Sequence, residues 1–381
     1  MPQKTGLEAR ALEAEISRGL KITPQLEAAR GFTRDLSDQD ASVVGAFVHG
    51  SAARGDSLDD SDVDLHVVIA GEPPEPAALW KDGVVLDVMY VSTDLMTVDP
   101  RDLLDSEAGR EELARGHLLW DIVDSIVVFD PDGLVRGYKR VAAMLARDPE
   151  ILKLRAGFIL EDSVGTLQEA RDAFVNDPLQ GYTLLYRAPL PGVRAGAAPL
   201  AMGALVALAS RPLGFRGLFP EFRVAAEDLG YVEIVNYAAA AWGVEEASVA
   251  DADAAFEMLR RLFDSSVRAV EQASAEGDAS AAAAAPYVNP LERDRALALA
   301  KGLVDRGEVQ GAIAFCVGKA MQLLSIEEFP NPWLGVDRGK PLEAVRKGVE
   351  KILGSPSTAA TAERLDALDT VHWSIAELLS G

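Results

Sequence analysis

The stretch Asp62-Val63-Asp64-Leu65-His66-Val67-Val68-Ile69 most restricts how this chain can fold. Polar and apolar residues alternate and then run into an apolar end, the pattern of a strand with one wet face and one buried face. Nearby segments supply its partners. Val43-Val44-Gly45-Ala46-Phe47-Val48 is a short apolar run closed by Gly50-Ser51, and so reads as a buried strand followed by a turn. Residues 84–91 read as a third strand after a loop at 71–76. Residues 125–129 read as a fourth, closed by the strong turn signal Asp130-Pro131-Asp132-Gly133. Two helices, at 7–20 and 24–38, precede them. After Gly133 the pattern turns helical, at 134–146 and 150–176, where Ile151, Leu154 and Phe158 share one face. Helical patterns continue to the end, broken by Pro/Gly loops at 189–199 and 211–220. The expected class is α+β: a mixed sheet flanked by helices, followed by a mostly α-helical region.

Charge narrows the partners. With 37 Lys and Arg against 60 Asp and Glu, the net charge is −23. Such a surface repels phosphate backbones and anionic membranes, so general nucleic-acid binding and membrane association are not expected. Residues 1–138 carry 12 basic and 27 acidic side chains (−15), and residues 139–381 carry 25 and 33 (−8). The strand-rich part therefore suits a divalent cation, although a solvated acidic surface has the same composition. The single cysteine, Cys316, excludes a disulfide framework and a cysteine-rich zinc site; within Ala312-Ile-Ala-Phe-Cys-Val it reads as a small core residue. His49, His66, His117 and His372 are scattered without ligand spacing. The start shows charges where a secretory signal needs an apolar core. The longest apolar run, Pro199 to Ser210, is too short to span a bilayer, so a cytoplasmic location is expected.

The chemistry concentrates around Gly50-Ser51, Asp62-Val63-Asp64 and Asp87. Residues i and i+2 of a strand share a face and lie about 6.6 Å apart at Cα, so Asp62 and Asp64 project side by side. Adjacent carboxylates call for a cation between them, and all-oxygen ligands favour Mg²⁺. Asp87, set among Val85, Leu86, Val88 and Met89, is a charge in an apolar strand and needs a partner: the same metal on a neighbouring strand, or an arginine. Gly50 lets backbone approach a ligand, and the Ser51 turn opening a short helix presents N–H groups to phosphate. Asp-x-Asp by itself is uninformative, since it recurs at 38/40, 60/62, 130/132 and 251/253.

The combination is informative: strand, Gly50-Ser51-x-Ala53-Arg54-Gly55, a spacer, Ser61-Asp62-Val63-Asp64-Leu65 in a second strand, and a third carboxylate in another. It resembles the nucleotidyltransferase (DNA polymerase β-like) superfamily, and its spelling is most similar to the bacterial minimal and antibiotic nucleotidyltransferases. The resemblance covers roughly residues 41–133. It implies that Asp62 and Asp64 bind Mg²⁺. It implies that Ser51, with the Gly50 turn, holds the β- and γ-phosphates of a nucleoside triphosphate. Asp87 would be the third metal ligand, the base for the acceptor hydroxyl, or both. Arg54 suits either a phosphate or a local salt bridge with Asp56 or Asp59. His66 falls on the face of Asp62 and Asp64, where relatives usually carry an apolar residue; it suits a carboxylate hydrogen bond or an ordinary buried position. His49 reads as core or as support for the site. Lys139, Arg140, Lys153 and Arg155 are candidates for the triphosphate, and Glu161 and Asp162 for a cationic acceptor, although such residues on a helix face are more usually just solvated.

The expected organisation is a nucleotidyltransferase catalytic domain at 1–138 and a helical domain at 139–275 on the acceptor side. A linker at 271–289, rich in Ala, Ser and Gly, and a C-terminal helical subdomain at 290–381 follow. The expected reaction is transfer of AMP from ATP to an acceptor hydroxyl with release of pyrophosphate. A cationic small molecule such as an aminoglycoside is the favoured acceptor, ahead of a protein side chain of the toxin–antitoxin kind. A nucleotide-binding regulatory protein that has lost turnover is the remaining alternative. The sequence leaves the oligomeric state open.

Overall fold

In the computed structural model the described residues are 22–55, 62–97, 101–115, 117–189, 194–211, 213–277, 281, 284–285, 287–327 and 358–380. The expected helix at 7–20, the spacer residues 56–61 and the region 328–357 lie outside them. The chain forms two compact units, Met1–Ile151 and Leu152–Gly381.

The first unit is built on one five-stranded sheet. Its strands are β1 (Val43–His49), β2 (Val63–Ile69), β3 (Ala77–Lys81), β4 (Val84–Ser92) and β5 (Ile126–Phe129), in the order β3-β4-β2-β1-β5. Only β2 and β4 run parallel; the other neighbours are antiparallel. Helix α1 (Pro24–Gln39) starts on a Thr23 side-chain cap, with proline in its first turn. It seats Leu26, Ala28 and Ala29 against Val48, Val63, Leu65, Val67, Leu86 and Val88 on one face of the sheet.

A second core lies on the other face. Phe47, Val68 and Val127 pack there with side chains from α3 (Thr93–Thr97), α4 (Glu107–Arg115), α5 (His117–Val123) and α6 (Leu134–Leu145). Between β1 and β2 lies the five-residue helix α2 (Gly50–Arg54). The turn signal at Asp130-Gly133 acts as a helix start. The buried Asp130 carboxylate accepts from the Val135 and Arg136 amides at 3.2 and 3.0 Å and from Arg136 Nε at 2.9 Å.

The α+β expectation and the four expected strands hold. The sequence reading did not include β3. This edge strand follows the proline-broken Glu72-Pro73-Pro74-Glu75-Pro76 and holds only five residues.

The second unit is helical throughout its described residues. It holds most of α7 (Pro149–Asn176), then α8 (Pro178–Tyr186), α9 (Ala197–Leu208), α10 (Leu218–Leu229), α11 (Ile234–Trp242), α12 (Val249–Ala275), α13 (Pro290–Asp305), α14 (Val309–Glu327) and α15 (Thr358–Ser380). A single core joins them, with Tyr186, Trp242, Phe222, Phe263 and Cys316 at its centre. Tyr186 donates its hydroxyl to the Ala241 carbonyl at 2.6 Å, so burying this phenol leaves no lost hydrogen bond. Helix α12 is started by a reciprocal capping box between Ser248 and Asp251 and continues through the first residues of the Ala/Ser/Gly-rich stretch. Among the described residues no helix is long and apolar enough to cross a membrane.

Candidate active site

Strand alternation places the site. Val63, Leu65 and Val67 fill the α1-side core, so Asp64 and His66 point to the opposite face of β2. On β4 the same logic turns Asp87 away from Leu86 and Val88. Because β2 and β4 are parallel and in register, Asp64 and Asp87 are direct lateral partners. Asp62 is the residue just ahead of β2. Burial, followed by the negative charge of Asp62, holds the Asp87 carboxyl above the usual carboxylate range. Among the described residues no arginine pulls it down.

Strand β1 brings in the turn. His49, its last residue, is the antiparallel partner of Asp64, and Gly50 follows at φ +68°. A Cβ on Gly50 would overlap the Asp64 carboxylate, so the glycine is required both by its backbone angle and by that close approach. Ser51 is buried in the first turn of α2, and its carbonyl accepts from the Gly55 amide, which closes the short helix. Arg54 ends α2 and is exposed. The fold thus gathers Gly50, Ser51, Asp62, Asp64 and Asp87 at one end of three adjacent strands.

The remaining candidates lie on α6 and α7. Lys139 on α6 donates to the Ser125 carbonyl, and Arg140 is exposed. Lys153, Arg155, Glu161 and Asp162 belong to α7 in the second unit, where Asp162 lies 3.9 Å from Arg194.

Sequence reasoning missed Asp121. This residue of α5 faces the two strand histidines, at 3.6 Å from His49 Nδ1 and 4.0 Å from His66 Nε2. The histidines, scattered in sequence, are brought together by the β1–β2 register, which pairs His66 with Phe47 and His49 with Asp64. Their ring centroids are 4.6 Å apart. The available signal was an aspartate between Trp120 and Ile122 on an otherwise apolar helix turn.

Carboxylate oxygens on one face of the sheet beside a glycine turn are the donor chemistry that suits a divalent cation facing a polyphosphate, while the described donors that converge within metal-binding reach are His49, His66 and Asp121. The comparison with known families agrees in place as well as kind. Residues 29–123 match the model of the nucleotidyltransferase domain. No curated protein matches the chain. The matched segment runs from α1 to the end of α5 and contains all three carboxylates, so the chain carries a nucleotidyltransferase domain and, through it, nucleotidyl-transfer activity.

Proposed function

We propose that the first unit transfers AMP from ATP to the hydroxyl of a cationic small molecule, releasing pyrophosphate. The lateral pairing of Asp64 with Asp87, with Gly50 seated against Asp64, carries this reading. The donor set fits Mg²⁺: three carboxylates, one of them raised by burial and by its neighbour's charge, form a concentration of negative charge that a hard divalent cation relieves. When bound on Asp62, Asp64 and Asp87, Mg²⁺ would neutralise charge on the triphosphate.

The protein's own groups do the rest. The Gly50-Ser51 turn holds the β- and γ-phosphates. Asp87 takes the proton from the acceptor hydroxyl as the oxygen attacks the α-phosphorus and the bond to the β-phosphate breaks. The acidic surface favours a cationic acceptor, such as an aminoglycoside, and disfavours nucleic acid and membranes. A lone buried cysteine suits a reducing cytoplasm.

The test is pyrophosphate release from ATP with aminoglycoside acceptors and Mg²⁺. Asp64→Asn should lower turnover at least about 100-fold while leaving the circular dichroism unchanged. Unaltered turnover in that variant would reject the assignment. Labelled protein bands from α-labelled ATP, with no small-molecule product, would move the acceptor to a protein side chain.

A further inference from the structure

Beside the carboxylate trio, a second and chemically different set of donors converges. His49 at the end of β1, His66 in β2 and Asp121 on α5 each offer one ligand atom, and these atoms all lie within 4.8 Å of one another. The carboxylate of Asp121 straddles the two rings, with Oδ1 at 3.6 Å from His49 Nδ1 and Oδ2 at 4.0 Å from His66 Nε2. Hydrogen-bonded imidazole–carboxylate pairs close to about 2.7–3.2 Å, so these separations are too long for that interaction. They approach instead the ligand-to-ligand edge of about 3.4 Å in a tetrahedron with bonds of about 2.0–2.1 Å. Metal binding would have to draw the donors in from separations of up to 4.8 Å, through the partly exposed His49 and Asp121 side chains.

The surroundings agree. The His66 side chain is 3% exposed and packs edge-on against Phe47, with ring centroids 4.8 Å apart. His49 and Asp121 are 18% and 25% exposed, which leaves an approach from solvent. Two imidazole nitrogens and one carboxylate oxygen form a borderline-soft set. Such a set favours zinc-class ions over Mg²⁺, which prefers oxygen alone. The two strands and one helix that carry the ligands are anchored by the core around Phe47, Val68, Leu119 and Ile122, so the donors are held by rigid elements.

We propose that His49, His66 and Asp121 form a second metal centre for one d-block divalent cation of the zinc class. Three protein ligands leave a fourth position for water or a ligand. The centre is distinct from the all-oxygen site of Asp62, Asp64 and Asp87 and does not depend on the reaction assigned to that site.

The test uses the full chain, stripped with chelator, desalted and held in millimolar Mg²⁺. Titration with Co²⁺ should give one equivalent with the strong visible absorption of a four-coordinate ion, and Zn²⁺ should displace it. Asp121→Asn, at a partly exposed position, and His49→Gln should each weaken binding by more than the roughly 10–100-fold that loss of an outer partner costs. The double variant Asp64→Asn/Asp87→Asn should keep the equivalent. The proposal is overturned if the wild-type chain takes up no Co²⁺ in Mg²⁺. It is equally overturned if Asp121→Asn binds as tightly as wild type, or if the double aspartate variant loses the ion. A weak six-coordinate spectrum in the wild type would also count against it.

Discussion

At Gly50 the backbone takes φ +68°, a region where a side chain costs roughly 1–2 kcal/mol, and the missing Cβ makes room for the Asp64 carboxylate. Gly50→Ala should therefore do two things at once. Thermal unfolding should show a loss of about 1–3 kcal/mol, and nucleotidyl transfer should fall at least about tenfold because Asp64 is displaced. A variant that loses stability but keeps full transfer would show that Asp64 tolerates the shift.

Asp87 carries the opposite trade. Burial and the charge of Asp62 both disfavour its ionised form, so at neutral pH the ionised carboxylate costs the folded protein stability. In chelator, Asp87→Asn should unfold at a higher temperature than wild type while losing transfer activity. A lower unfolding temperature for that variant would mean that Asp87 is already compensated without metal.

At the scale of elements, α15 binds into the second core through a polar contact. The His372 ring lies 2.7 Å from the Ser163 hydroxyl, which donates to the Ala197 carbonyl at 2.6 Å. Burial lowers the His372 imidazole to about 4, against a partial upward pull from Asp369. The folded state keeps the ring neutral, whereas the unfolded chain takes up a proton below about 6.5. Stability should therefore be lost as pH falls from about 6.5 to about 4, by at most about 3 kcal/mol, with no further loss from this group below that window. His372→Gln should flatten that part of the profile, as read by denaturant midpoints at pH 7, 5 and 4.

What could be read from sequence follows the same division by element. The strands that carry Asp64 and Asp87 were legible because alternation forces one face inward, and Gly50-Ser51 was legible as a strand end. Strand β3 was not, because five residues after a proline-broken loop carry too little pattern. The lateral pairing of Asp64 with Asp87 depends on strand order, which no local spacing encodes. The meeting of His49, His66 and Asp121 needs both a strand register and the packing of α5, so histidines that looked scattered become neighbours only in three dimensions.

For the molecule as a whole, charge is the governing quantity. A net −23, with −15 of it in residues 1–138, creates a long-range field that draws cations toward the unit bearing the carboxylates. For a polycationic acceptor, KM should rise several-fold between about 50 and 300 mM salt as screening shortens that field, with kcat little changed. A neutral acceptor of similar size should show no such dependence, and equal salt profiles would remove electrostatic capture from the account.

The parallel register of β2 and β4 has one more effect, on how the chain rejects its own errors. Sliding β4 by a single residue would swing Asp87 among Leu26, Leu65 and their neighbours beneath α1, and would turn Leu86 and Val88 out toward the acidic end of the sheet. Stranding an ion in oil and greasy side chains in water penalises that slip twice. The alternation that fills the interior therefore also proofreads the alignment of the carboxylates: a molecule that misplaces them does not become a poor catalyst with a good core, because it fails to consolidate at all.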